Sequence, residues 1–219
     1  MMLYCTTMNA QKDVTTFLGI PVDGTKTEMR QKLIAKGFTP KNVRGDDFLE
    51  GEFNGTAVRI FIATNNNKVC RLMVSDRFTV DEANVKVRFN KLVSQFENNK
   101  RYFYLDKHAI SDEEDISYEM KVNKKNFDAL FYQYPDSTKT DTLAVQNKIR
   151  EKLLEKYSPE QLENPTEEIT KEAISISLKM TTATLLKKSV WFRICEYGNE
   201  YYISMFYDNE YNRANGEDL

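Results

Sequence analysis

The closing stretch SVWFRICEYGNEYYISMFYDNEY, Ser189 to Tyr211, decides the fold. Gly198 and Asn199 mark a reversal inside it. Strand neighbours alternate in facing, so a hairpin turned at that pair sorts its side chains into two layers. Val190, Phe192 and Ile194 fall with Tyr201, Ile203, Met205 and Tyr207, an oily layer that must be buried. Trp191, Arg193, Cys195 and Tyr197 fall with Tyr202, Ser204 and Phe206 on the opposite side. The first layer predicts helices packed against it. The second mixes rings with charge, residue types enriched at protein interfaces because they join apolar area to polar handles. The other readings of the same layer are that a long helical insertion folds over it, or that cross-strand pairs simply close an exposed sheet.

Two further segments read as reversals of the same kind. In EGEFNGTAVRIFI, Asn54 and Gly55 suit a two-residue turn, which puts Leu49, Phe53, Val58, Ile60 and Ile62 inward. A three-residue loop at Asn65 to Asn67 then brings Cys70, Leu72 and Val74 into the same layer. Outward fall Phe48, Glu50, Arg59, Phe61, Val69, Arg71 and Met73, with Glu50 opposite Arg59 as a favourable cross-strand pair. ISYEMKVNKKNFDALFYQY reads as a third hairpin, with Ile116, Tyr118, Met120, Val122, Phe127, Ala129 and Phe131 inward and Asp128, Leu130 and Tyr132 outward.

Four helices separate these strands. Thr25 and Glu28 form a capping box before Met29 and Leu33, and Gly37 supplies a stop. Thr79 and Glu82 open the second, which carries Val85, Phe89, Leu92 or Val93, and Phe96 on one stripe. The third spans Asp141 to Tyr157 and is followed by a short capped turn at SPEQ; the fourth starts at NPTEE with Asn164 as cap and Pro165 in the first position. Every strand connection is then a tight hairpin or a passage through a helix. The expected class is α+β, an antiparallel sheet with helices packed on one face. Residues 12–219 read as one domain with a helical insertion at 136–187, while the repeated helix-then-strands order leaves tandem modules at 12–78 and 79–219 open.

Composition narrows the partners. Among 219 residues, 31 basic side chains face 33 acidic ones for a net charge of −2, so no global field draws in nucleic acid. No apolar run is long enough to span a membrane. Cys5, Cys70 and Cys195 have no metal-ligand spacing and read as small buried hydrophobes. The opening MMLYCTTMNAQK looks like the end of a secretory leader, with Ala10 placed for cleavage; a disordered N-terminus is the alternative, and either way residues 1–11 stand apart from the fold.

The stretches FLGIPVDGTKTEMRQKLIAKGF, GEFNG, TNNNKV, NPTEEI and YYISMFYDNEYNRANGEDL resemble a widespread uncharacterised family of exported proteins of gut bacteria. That resemblance implies a secreted or periplasmic location and carries over no functional residue. The helix-then-sheet order is also similar to β-lactamase inhibitor protein-like modules and to the small lipoproteins of outer-membrane assembly, which implies protein binding without catalysis. The long helical insertion departs from those modules.

Chemistry finds few footholds. His108 is the sole histidine and reads as a solvated loop residue, the acidic run Asp112 to Asp115 lacks the glycine and spacing of a calcium loop, and no nucleotide-binding, nucleophile-elbow or zinc-protease motif occurs. No cofactor, metal site or catalytic residue is expected. The expected function is non-catalytic binding of a protein or peptide through the open sheet face, with Phe61, Arg71, Tyr132, Trp191, Arg193 and Tyr202 as contacts. Carbohydrate binding or glycan processing is the alternative.

Overall fold

A computed structural model describes residues 13–136 and 142–214; the leader-like residues 1–11 and the expected helix start Asp141 lie outside them. The chain divides into two compact units, one running Val14–Tyr134 and resuming at Lys187, the other holding Pro135–Leu186.

The first unit opens with a small ribbon, β1 (Thr16–Phe17) and β2 (Ile20–Pro21), and helix α1 (Lys26–Ala35). A meander follows, β3 (Thr39–Val43), β4 (Asp46–Phe53), β5 (Thr56–Asn65) and β6 (Lys68–Asp76). Then come α2 (Glu82–Glu97), β7 (Tyr102–Phe103), α3 (Ile116–Lys121) and β8 (Asp128–Gln133), and the chain returns as β9 (Ser189–Tyr197) and β10 (Glu200–Asp208). The long strands form one antiparallel sheet in the order β3-β4-β5-β6-β10-β9-β8-β7. The protein is therefore α+β, with helices on one face of an antiparallel sheet. No helix among the described residues is long and apolar enough to cross a membrane.

Turn chemistry sets the registers. Asn54 with Gly55 and Gly198 with Asn199 all have positive φ, the requirement of the two-residue turn whose twist matches the strands. Ile203 thus faces Ile194 and Met205 faces Phe192, and Val190, Tyr201 and Tyr207 are buried with them. Met29 and Leu33 of α1 and Val85, Phe89, Leu92, Val93 and Phe96 of α2 pack on this layer. Phe89 meets Phe192 edge-on at 5.0 Å and Phe96 stacks on Phe131 at 4.8 Å. Each such ring contributes about 1.5–3 kcal/mol by leaving water.

Five expectations about turns, strands and helix caps require correction. The reversal after β5 is a two-residue turn at Asn66 and Asn67, because Asn65 pairs with Lys68. The extra residue appears further on, as a bulge beside Ala63 and Thr64 that skips Cys70; Val69 turns inward and is buried, and Cys70 is half-buried instead. Ile116 to Lys121 is a helix rather than a strand: Asp115 caps it through the Tyr118 N–H at 2.7 Å, and only Ile116 of its apolar residues is buried. The cap of α2 is Asp81, since Val80 is held extended by two 2.7 Å bonds with Tyr201. Finally, Thr166 caps the fourth helix and Asn164 ends the turn before it. The edge strand β3, unmarked by any hydrophobic pattern, is exposed at all five residues, and Pro40 and Lys41 blunt it against further pairing.

The second unit contains α4 (Thr142–Leu154), the short α5 (Pro159–Glu163) and α6 (Glu167–Leu185). Ser158 and Gln161 make the expected capping box, with Pro159 opening α5. Leu153 of α4 and Ile169 of α6 are its buried apolar residues, and Tyr157 donates to Glu172 at 2.8 Å.

Candidate functional site

The outer layer of the sheet is built around β10, whose outward residues are Tyr202, Ser204, Phe206 and Asp208. Strand order brings Arg71 of β6 opposite Asp208 and Trp191 of β9 opposite Phe206. The two rings stack at 4.0 Å and 19°, and the Arg71 guanidinium lies 5.1 Å from the Phe206 ring centre and 5.5 Å from that of Trp191. Asp208 is buried and accepts from Arg71 Nε, from Arg71 Nη2 at 2.9 Å and from Trp191 Nε1 at 2.9 Å. Arg193 sits 5.2 Å from the Trp191 ring centre and donates to both oxygens of Asp128, at 2.8 and 3.3 Å. The cluster is internally satisfied: each cation has its own carboxylate and at least one ring.

Next to the cluster the layer sinks into a depression of about 550 Å³. Phe61, Met73 and Tyr202 supply apolar wall, and Ser75 and Ser204 share a buried hydroxyl–hydroxyl bond of 3.0 Å within it. Phe78 and Tyr197 line it while remaining 65% and 74% exposed. Arg59 and Arg77 also line it and both meet Glu50, the first through the cross-strand pair expected from the hairpin register. Burial raises the Tyr202 phenol above its ordinary pKa, with Cys195 beside it adding to the effect, so the ring is a neutral hydrogen-bond donor.

No protein family, curated protein or solved structure matches the chain.

The six expected contacts thus fall into three places. Arg71, Trp191 and Arg193 belong to the satisfied cluster; Phe61 and Tyr202 line the depression; Tyr132 is buried, its ring stacked on Phe103 at 5.1 Å, and is not available as a contact. Phe78 and Arg77 had no signal in the sequence, because they lie past the end of β6 where alternation no longer assigns a face. His108 is not a solvated loop residue. Its ring is half-buried edge-on to Phe131, with Nε2 3.1 Å from the Leu130 carbonyl oxygen and 3.3 Å from the Leu130 nitrogen.

Among the described residues no three His, Cys, Asp or Glu side chains group as metal ligands. Asp76 is the one carboxylate among the described residues that line the depression, and Arg88 bonds both of its oxygens, at 2.5 and 2.7 Å. Another cavity, about 500 Å³, opens on the helical side between Phe53, Phe96, Tyr102 and Tyr207.

Proposed function

We propose that the protein binds a peptide or protein partner, without chemistry, through the depression on the open face of its sheet. The supporting observation is that Phe78 and Tyr197, both more than half exposed, line the same hollow as Phe61 and Tyr202. Exposed rings around a polar floor are the composition of an interface centre, where a few aromatic anchors carry most of the binding energy. The neighbouring Trp191 cluster contributes rigidity rather than free donors, since its cations are already paired.

The test is to pan a displayed random dodecapeptide library on the wild-type protein and measure recovered peptides by calorimetry. Phe78→Ala with Tyr197→Ala removes two exposed side chains and leaves the melting transition in place. Peptides bound by wild type are expected to lose about tenfold or more in affinity for this variant. A panning that enriches nothing, or peptides that bind the variant equally well, rules the site out.

A further inference from the structure

Taking the depression as a peptide site, we infer that its ligand presents a carboxylate to Arg59 and Arg77. These two guanidinium groups share a single acid: Arg59 Nε lies 3.2 Å and Arg77 Nε 3.4 Å from the same oxygen, Oε1 of Glu50. The ratio is what distinguishes them from the other cations of this face. Arg71 has Asp208 and Arg193 has Asp128, one acid each.

Both arginines are accessible, with 42% of each side chain exposed, whereas Glu50 retains 14% and does not line the depression. Each is also pre-positioned by a ring, Arg59 at 5.5 Å from the Phe48 centre and Arg77 at 5.2 Å from the Phe78 centre. Their terminal Nη groups donate no hydrogen bond among the described residues. A guanidinium bonded only through Nε keeps its outer nitrogens for a second carboxylate.

Among the described residues neither of the other acids nearby pairs with these arginines: Asp76 is bonded by Arg88, and Glu200 accepts from the neutral Thr79 hydroxyl. Arg59 and Arg77 therefore stand two to one acid, against walls of Phe61, Phe78 and Met73. The complementary ligand is a peptide segment with Asp, Glu or a terminal carboxylate beside an aromatic or aliphatic side chain.

Peptides recovered from the dodecapeptide library are expected to carry that pairing. The tightest would be synthesised as recovered and with its carboxylates replaced by amides. The amide form, and the Arg59→Gln with Arg77→Gln variant, are each expected to weaken binding about tenfold. Glu50→Gln, which removes the competing acid, is expected to tighten binding of the carboxylate form several-fold and leave the amide form unchanged. Added salt should weaken only the carboxylate form. Peptides lost on Phe78→Ala with Tyr197→Ala but indifferent to amidation and to Glu50→Gln would overturn the carboxylate assignment while leaving the site standing. Failure to recover any peptide would overturn both.

Discussion

Asp208 ties the cluster of the outer layer together, because two nitrogens of its cross-strand neighbour Arg71 and the ring nitrogen of Trp191 converge on it. Asp208→Ala leaves the Arg71 guanidinium partly buried without its acid and the Trp191 N–H without an acceptor. Loss of about 2–3 kcal/mol is expected, because removing one member of a buried pair costs more than the pair contributes. Urea unfolding measures it, with Arg213→Ala, which breaks an exposed pair to Glu210, as a control expected to lose under about 0.5 kcal/mol. Side-chain facing at this scale was largely legible. Alternation placed Trp191, Arg193 and Tyr202 outward and Ile194 and Ile203 inward, as found. It failed at Val69 and Cys70, which lie between the two-residue turn and the bulge, and the bulge restores the expected facing from Arg71 onward.

Among the elements, helices with a strong apolar stripe were readable and their first residues less so. Thr79 and Asp81 both stand ahead of α2 and both suit a cap. The choice is made by the bridge between Val80 and Tyr201, which holds the chain extended one residue longer. Asp81→Ala is expected to cost about 1 kcal/mol through loss of the bond to the Asn84 N–H, measured as a lowered urea midpoint at unchanged slope. An unchanged midpoint would return the cap to Thr79. Helix α3 escaped reading for a related reason. Ile116, Tyr118, Met120 and Val122 alternate as a strand would, yet Ile116 and Met120 are also one helical turn apart, and only the partners available could decide. Glu82 decides it by accepting from the Ile116 N–H at 2.8 Å and from the Ser117 hydroxyl.

At the scale of the molecule, the helical segment Pro135–Leu186 enters between two strands that are already neighbours. Tyr132 pairs with Ser189, and the Gln133 N–H donates to Lys188 at 3.0 Å. Among the described residues, the hydrophobic core cluster of the sheet unit is built from the chain before Pro135 and after Leu186. Replacing residues 135–186 by a short Gly- and Asn-containing turn is therefore expected to leave the sheet unit folded with a cooperative transition, while the helical signal of α4 and α6 disappears from circular dichroism. Loss of cooperative unfolding in the shortened chain would show that the sheet depends on the insertion.

Fold class, layer assignment and most turns followed from the chain alone, because each depends on residues two to four positions apart and on the φ that Asn and Gly accept. The site did not. Its hollow and its satisfied cluster exist only because β6 pairs with β10, strands more than a hundred residues apart, and nothing local to either strand encodes that neighbour.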